Sequence, residues 1–451
     1  MYKAIINGQI VTEESVIKGS ILIKDGKIAA VLAEGADLGA YEITETIDAK
    51  GQYVVPGGID GHVHFGGFGD IPIADDFYTG SKAALAGGTT TVVDFCEPVI
   101  GEQPIDCVIR RKKDGEISMV DYAFHYTFTK NFRQELADID QILDSGVGAF
   151  KAYTYYPNTN LLAGEFREIM KVIHDKGPLL VHAEEESIID IEKAKVEGEE
   201  KKNFLNLSLT RPNVSEQIAV ETVLALAKET GTKLCIAHTS AGETADIRKR
   251  ERLSGGDLIL ESCPHYFALT NDKMKGPDGA LFTMNPPLRW AKDNERLWQA
   301  ALEGDVEIMS TDHCPYHKQY KYGTDYLTVP CGVDGVQTRM QFMFSEGVMK
   351  RGLDMVQFAK MTSTNAAKYY NIYPAKGTIK EGSDADLAFF DPSINWTWGA
   401  DKIAGTTDYT VFEGMEMQGK VTCTIKGGEV AYDGEKILAE KGSGRFLPNV
   451  W

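Results

Sequence analysis

Hydrophobic and polar residues alternate at both ends of the chain, over residues 1–54 and residues 377–451. Alternation with a period of two is typical of half-buried β-strands. The pairs Asn7-Gly8 and Asp25-Gly26 interrupt the first segment, and such pairs favour tight turns between strands. We therefore predict that the two ends of the chain together form one small β-sandwich domain around a central insert.

The central segment, residues 55–376, has a different pattern, in which near-continuous apolar runs alternate with helical stretches. Such runs are typical of parallel strands with both faces covered. Eight of them occur, which predicts a (β/α)8 TIM-like barrel. An open doubly wound sheet is the alternative, but no Gly-x-Gly-x-x-Gly sequence follows the first run. The runs lie at residues 53–64, 89–98, 120–128, 147–156, 177–186, 232–240, 257–269 and 306–316.

Polar side chains suited to a metal centre stand in or at the ends of five of these runs. His62 and His64 end the first run, and alternate residues of a strand point the same way. Because the carboxyl ends of barrel strands meet at one face, we expect the whole set to converge there. A single histidine in such a place is more often a core residue, but several at successive strand ends indicate metal binding. The set is His62, His64, Lys151, His182, His238 and Asp312.

Lys151 lies within the apolar run at residues 147–156, where an ammonium group is costly to bury. An ammonium group also has no lone pair with which to bind a cation. One interpretation is that the side chain reaches solvent or pairs with a carboxylate. The other is that its amine has condensed with carbon dioxide, which would make it a carbamate and hence a carboxylate-like ligand.

The amino-acid composition of the chain bears on its possible partners and on its cellular compartment. The chain of 451 residues carries 66 acidic residues against 47 Lys and Arg, a net charge of −19. This balance argues against nucleic acid or an anionic membrane as the main partner. The first residues lack the features of a signal peptide, and no apolar run is long enough for a membrane span. Seven cysteines without a Cys-x-x-Cys pair indicate free thiols, so we expect a cytoplasmic protein.

Several motifs, in this order along the chain, resemble those of the cyclic amidohydrolases of the amidohydrolase superfamily, the hydantoinases and dihydropyrimidinases in particular. The resemblance covers nearly the whole chain, including the predicted terminal β-domain. The motifs are GGIDGHVHF at 57–65, ADDFYTGSKAALAGGTTTVVDF at 74–95, FKAY at 150–153, VHAE at 181–184, AHTS at 237–240, CPHY at 263–266, NPPLR at 285–289, STDHCP at 310–315 and GTIKEGSDADLAFFDP at 377–392.

The resemblance implies a centre of two divalent metal ions, usually zinc, although manganese or cobalt suits the same ligands. His62 and His64 would bind the more buried ion, and His182 and His238 the more exposed one. Carboxylated Lys151 would bridge the two ions. Asp312 would bind the buried ion and also serve as the general base and acid.

The resemblance further implies that a hydroxide bridging the metals opens a cyclic amide or ureide, a hydantoin or a dihydropyrimidine, to an N-carbamoyl amino acid. Tyr156 would donate a hydrogen bond to the developing oxyanion, with Tyr153 and Tyr155 as rivals. Asn285 and Cys331 occupy positions that contact the substrate through their backbone. The family's members are commonly tetramers, so a homotetramer is expected.

Three segments depart from the family's usual pattern: the loop at residues 65–70, the loop at residues 329–335, and Gln337 in place of a frequent Glu. The first leaves the ring substituent and the stereochemical preference open. The second, together with Asn285, leaves the ring-binding region open and keeps allantoinase as an alternative. Dihydroorotase is disfavoured, because Phe65 stands where that enzyme has an arginine. A non-catalytic scaffold is the remaining alternative, but all six ligands are present.

Two histidines, an acidic run and a cysteine also lie in or near the motifs. His265 is expected to orient its neighbours, and His313 to lie outside the ligand set. The acidic run at residues 184–186 is expected to be a solvated loop. Cys314 has no paired base and is not expected to be a nucleophile.

Overall fold

The computed structural model describes residues 1–67 and 71–451, and their strands form two sheets. In chain order the strands are β1 Tyr2–Val11, β2 Val16–Lys24, β3 Lys27–Ala33, β4 Ile43–Asp48, β5 Tyr53–Pro56, β6 Gly58–Asp60, β7 Thr89–Cys96, β8 Asp121–Thr127, β9 Ala149–Tyr153, β10 Leu179–His182, β11 Leu234–Ile236, β12 Leu258–Ser262, β13 Ile308–Met309, β14 Leu387–Thr397, β15 Glu416–Lys426 and β16 Glu429–Tyr432.

Strands β6 to β13 form a parallel sheet in which each strand pairs with the next one along the chain. The two edges of this sheet meet through a parallel bridge between Val63 and His313, just beyond β6 and β13. The sheet therefore closes, and the predicted (β/α)8 barrel is confirmed. Apolar side chains such as Ile59, Val93 and Leu180 fill its interior, as a packed barrel requires.

The remaining strands form the second sheet, which combines both ends of the chain. Its order is β16-β15-β14-β5-β1-β2-β3, and β4 pairs with β1 alongside. The antiparallel pair of β5 and β14, in which Val55 faces Ala388, joins the N-terminal strands to the C-terminal ones. The prediction of a terminal β-domain from both chain ends is thus confirmed. The domain limits at 54/55 and 376/377 stay predictions.

The two dipeptides expected to make turns behave differently. Asp25-Gly26 links β2 to β3 with positive φ at both residues, 52° and 75°, the conformation of a tight hairpin turn. Asn7-Gly8 lies inside β1, where the pairing with β2 shifts between Ile5 and Gly8. The expected turn at Asn7-Gly8 is therefore wrong: the pair accommodates a bulge, and the strand continues.

Helices follow the barrel strands and cover the outside of the sheet. Among the described residues, no helix is both long and apolar enough to cross a bilayer. The α-helices are α1 Phe77–Ala86, α2 Pro104–Gly115, α3 Phe132–Ala137, α4 Ile139–Asp144, α5 Ala163–Ile173, α6 Glu186–Lys193, α7 Leu205–Leu209, α8 Asn213–Thr230, α9 Gly242–Leu253, α10 Pro264–Ala268, α11 Ala291–Glu303, α12 Lys318–Lys321, α13 Arg339–Phe342, α14 Met355–Ala359 and α15 Asn365–Tyr369; π-helical turns span Met343–Met349 and Lys360–Thr364, and 3-10 turns span Leu38–Ala40, Gly198–Lys202, Asn271–Met274, Gly279–Phe282 and Ala400–Lys402.

Candidate metal centre

The six side chains proposed as ligands lie at the carboxyl ends of the barrel strands. His62 and His64 follow β6, and Asp312 follows β13, which neighbours β6 where the barrel closes. Lys151 lies within β9, His182 ends β10, and His238 follows β11. The topology of the barrel therefore brings together residues that are far apart in the sequence.

His62, His64 and Asp312 form one group of contacts. The Nε2 atoms of His62 and His64 lie 3.2 and 3.0 Å from Oδ1 of Asp312. Both imidazoles are almost fully buried. Two ring nitrogens thus face one carboxylate oxygen at a site with little access to water.

His182 and His238 form a second group beside the first. Nδ1 of His182 lies 3.0 Å from Nε2 of His238, and the rings of His62 and His238 are 5.3 Å apart. Potential ligand atoms of His62, His238 and Asp312 all lie within 4.8 Å of one another. Nitrogen and oxygen donors that converge in this way suit a divalent cation such as zinc.

Lys151 is completely buried between these groups and two aromatic rings. Its Nζ lies 5.2 and 5.0 Å from the ring centres of Phe95 and Tyr153, and it has no hydrogen-bond partner among the residues that the structure describes. Burial lowers the pKa of Lys151 to about 8, and the negative charges of Glu261 and Asp312 oppose that shift. An unpaired buried amine next to a set of cation ligands fits a lysine that becomes a carbamate when metal is bound.

Glu261 of β12 orients His62, and the sequence did not identify it. Its Oε1 lies 2.8 Å from Nδ1 of His62, and its Oε2 accepts a hydrogen bond of 2.9 Å from Ser310. Because a carboxylate accepts there, Nδ1 of His62 carries the proton and Nε2 is left as the ligand atom. Burial raises the pKa of Glu261 to about 7. Its only sequence signal is an acidic residue within an apolar run.

Glu184 plays the same part for His182, so the expectation of a solvated loop is wrong for this residue. Glu184 is completely buried, with Oε2 2.8 Å from Nε2 of His182. The guanidinium of Arg211 donates to both carboxylate oxygens, with 3.0 Å from Nε to Oε1. Burial opposes ionisation, but Arg211 and His182 hold the pKa of Glu184 well below its usual range. A signal was present, because Glu184 follows His182 by two residues.

Three tyrosines follow Lys151, and their hydroxyl groups differ in their partners. Tyr153 donates to Oε1 of Glu97 at 2.9 Å, and Tyr155 accepts from Lys193 at 2.6 Å. The Tyr156 hydroxyl has no hydrogen bond to a described residue, and its ring centre lies 5.0 Å from that of His182. Of the three hydroxyl groups, that of Tyr156 is the one available for a substrate.

Backbone strain coincides with three of the proposed site residues. Tyr156, His238 and Asp312 have φ angles of 96°, 35° and 51°. Residues other than glycine rarely adopt such angles, which cost on the order of 1–3 kcal/mol each. The surrounding fold maintains these conformations, which is a common feature of residues whose side chains must point at a reacting group.

Asn285 and Cys331 lie on two segments that Lys321 holds together. The buried ammonium of Lys321 donates to the carbonyl oxygens of Thr283 at 3.1 Å and Gly332 at 2.7 Å. The backbone N–H of Gly332 also donates to the carbonyl of Thr283 at 2.9 Å. In the described part of the chain, neither Asn285 nor Cys331 forms a hydrogen bond with a proposed ligand. Their substrate contacts stay predictions.

The sequence analysis also named residues outside the proposed ligand set, and the structure gives the contacts of several of them. His313 is 3.1 Å from Oδ2 of Asp75 through Nε2, and its Nδ1 accepts from the N–H of Gly335. Both ring nitrogens of buried His265 lack a hydrogen-bond partner among the described residues. Gln337 bonds to the backbone of Lys402 and Ala404, so it secures a neighbouring segment. Of the divergent loop at residues 65–70, residues 68–70 lie outside the described part.

Comparisons of the sequence and of the fold with known proteins point to one family. The model of the amidohydrolase family matches residues 53–431. The chain is 31% identical to a D-hydantoinase of Streptomyces coelicolor, over 98% of this chain and 96% of that protein. It is 32% identical to a D-hydantoinase of Geobacillus stearothermophilus, over 99% of this chain and 96% of that protein. The crystal structure of a dihydropyrimidinase from Brevibacillus agri superposes with a TM-score of 0.94 at 31% identity, over 100% of this chain and 99% of that one.

These similarities extend over both the barrel and the terminal β-domain, because each covers almost the entire length of both proteins. The chain therefore belongs to the amidohydrolase family, in the branch that contains the hydantoinases and dihydropyrimidinases.

Proposed function

We propose that this chain is a metal-dependent hydrolase that opens a five- or six-membered cyclic amide or ureide, of the hydantoin or dihydropyrimidine class, to an N-carbamoyl amino acid. The observation that carries the proposal is the convergence of five polar strand-end side chains around a buried, unpaired Lys151. The full-length similarity to hydantoinases supports the reaction class and does not favour allantoinase.

Two divalent metal ions, which we propose to be zinc, would lower the pKa of water from 15.7 to about 7 and polarise the amide carbonyl. His62, His64 and Asp312 would hold one ion, and His182 and His238 the other. Carboxylated Lys151 would join the two. Formation of the carbamate joins the Nζ atom of Lys151 to the carbon of CO2 and releases protons to solvent, and burial of the amine favours the neutral form that this reaction needs.

Asp312 is proposed as the group that moves the proton. Its carboxylate takes a proton from the attacking water and delivers it to the ring nitrogen as the C–N bond breaks. An amide nitrogen leaves poorly as an anion, so this delivery is needed for ring opening. The strained backbone of Asp312, together with its contacts to His62 and His64, supports a fixed position for the carboxylate.

Tyr156 is proposed as the donor to the oxyanion that forms when water adds to the carbonyl carbon. A donor placed where charge develops stabilises the transition state more than the ground state. Support comes from the unused hydroxyl of Tyr156 beside His182, since the hydroxyls of Tyr153 and Tyr155 have other partners. Backbone groups at Asn285 and Cys331 would hold the ring.

We further propose that the chain acts in the cytoplasm as a homotetramer. The acidic composition and free cysteines support the compartment, and resemblance to the family supports the oligomer. Size-exclusion chromatography with light scattering would measure the oligomer.

A substrate panel tests the reaction. Hydantoin, substituted hydantoins, dihydrouracil, allantoin and dihydroorotate would be incubated with gently purified protein whose metal content has been measured. We expect near two metal equivalents per chain and ring opening of a hydantoin or of dihydrouracil. Full activity without metal would contradict the binuclear centre. Turnover of allantoin or dihydroorotate alone would contradict the substrate class.

A further inference from the structure

Arg289 ends the NPPLR motif at residues 285–289, and the proposed mechanism gives it no part. The residue is almost completely buried, with 4% of its surface exposed. Its guanidinium donates from each nitrogen: Nε to Oγ of Ser240 at 2.9 Å, Nη1 to the carbonyl oxygen of Arg211, and Nη2 to Oε2 of Glu216 at 3.2 Å. The carboxylate of Glu216 compensates the buried charge. The other two contacts join Arg289 to separate segments of the chain.

The contact with Ser240 fixes the segment that carries His238. Ser240 follows His238 by two residues, and His238 has a φ angle of 35°, which few residues other than glycine adopt. The carboxylate of Glu216 accepts from Oγ of Ser240 at 2.5 Å and from the backbone N–H groups of Ser240 and Ala241 at 3.2 and 3.1 Å. Arg289 and Glu216 together therefore hold the chain immediately beyond His238.

The contact with Arg211 connects Arg289 to the other histidine of the same group. The guanidinium of Arg211 donates to Glu184, whose Oε2 lies 2.8 Å from Nε2 of His182. Arg211 is itself completely buried. The side chain of Arg289 is therefore linked to the supports of both histidines that are proposed to hold one of the two ions.

The backbone of the NPPLR motif is fastened to other elements along its length. Three of its carbonyl oxygens accept hydrogen bonds: that of Pro286 from the hydroxyl of Tyr266 at 2.6 Å, that of Leu288 from Oγ of Ser208 at 2.9 Å, and that of Arg289 from the N–H of Asn271 at 2.8 Å. Asn285, the proposed ring contact, lies at the start of this motif. A rigid segment with a ring contact at one end and Arg289 at the other sets the position of the ring relative to the two histidines.

We propose that Arg289 is a positioning residue that fixes the substrate ring relative to the metal ion held by His182 and His238. This inference rests on the proposed ring-opening function and adds the residue that aligns the ring with one ion. Among the described residues, Arg289 bonds to no proposed ligand directly, so it acts through Ser240 and Arg211. A displacement of about 1 Å at the reacting groups can lower the rate about 100-fold.

The test uses Arg289→Lys, which keeps a positive charge opposite Glu216 but lacks the planar fork that reaches three acceptors in different directions. For the metal-loaded variant, we expect kcat/KM with the ring that the wild type opens to fall on the order of tenfold to a hundredfold. Chelator competition, which needs no substrate, should show one of the two metal equivalents bound about 10- to 100-fold more weakly.

Arg248→Lys is the matched control. Arg248 is also largely buried, but its guanidinium pairs with the single carboxylate of Glu307, at 2.5 Å, near the amino end of β13. This control should lower stability against denaturant and leave kcat/KM and metal affinity unchanged. If Arg289→Lys lowers stability alone in the same way, Arg289 has a purely structural role and the inference is overturned.

Ser240→Ala is a second variant that tests the inference if Arg289→Lys folds poorly. It removes the acceptor of Nε of Arg289, and should lower kcat/KM and metal affinity by smaller factors; no change in either would overturn the inference. Where both variants fold, the double variant should lose less than the product of the two single losses, and fully multiplicative losses would overturn the link. Failure of the wild-type holoenzyme to open any ring in the panel would instead reject the proposed function.

Discussion

The ion pair of Glu184 and Arg211 offers a quantitative test of how the metal centre is supported. Glu184→Gln removes a charge from a fully buried side chain and leaves the guanidinium of Arg211, which is 1% exposed, without its anion. Loss of one partner of a buried pair costs about 3–5 kcal/mol, because the remaining charge stays desolvated. We expect the free energy of unfolding to fall by that amount.

The same substitution should weaken metal binding. The carboxylate of Glu184 accepts from Nε2 of His182, which leaves Nδ1 of His182 pointing towards His238. Loss of such an orienting group typically lowers metal affinity or activity about 10- to 100-fold. Denaturant titration at fixed protein concentration would measure stability, and competition with a chelator would measure metal affinity.

Glu186→Gln is the matched control, since it makes the same change two residues away on a side chain that is only half-buried. It should change stability by less than about 0.5 kcal/mol. The double variant Glu184→Gln/Arg211→Met should be more stable than Glu184→Gln alone, because no unpaired charge remains. Equal losses for Glu184→Gln and Glu186→Gln would refute the reasoning.

Because of the ion pair between Glu184 and Arg211, we also expect the free energy of unfolding to depend on pH. The pKa of Glu184 is lower in the folded state than its ordinary value of about 4.3. The stabilisation is therefore fully present above that pH and is lost as the pH falls through the depressed folded-state pKa. The stabilities of wild type and Glu184→Gln should converge on acidification from about pH 4.3 downwards. A constant difference would contradict the assignment.

Four further substitutions test the centre. Lys151→Ala should lose metal and activity, with partial rescue by short carboxylic acids that replace the carbamate; normal metal content would contradict a bridging role. Asp312→Asn should reduce kcat far more than it raises KM, and near-normal turnover would remove Asp312 from the proton transfer. Tyr156→Phe should lower kcat on the order of 10²–10³-fold with metal retained; a larger loss in the control Tyr155→Phe would move the oxyanion donor to Tyr155. Lys321→Met should raise KM more than it lowers kcat, since it releases the two segments proposed to hold the ring, and an unchanged KM would show that Lys321 does not position them.

Local patterns in the sequence were sufficient to predict the barrel, the terminal β-domain and the convergence of the strand-end side chains. Alternation and apolar runs record which faces of a strand are buried, and this information lies within a few consecutive residues. Once eight β/α units are present, the parallel closure of the barrel places every strand's carboxyl end at the same face. His62 and Asp312 could therefore be assigned to one site although about 250 residues separate them.

Only the tertiary structure decided which acidic residues support that site. Glu261 lies outside the family motifs, and Glu184 ends the VHAE motif but belongs to an acidic run that predicts a solvated loop, whereas the structure buries it completely. Their state depends on partners from other elements: Arg211 beyond α7 for Glu184, and Ser310 beyond β13 for Glu261. Whether a charge is buried, paired or left open depends on the sum of its neighbours in space, and that sum cannot be obtained from the order of residues along one segment.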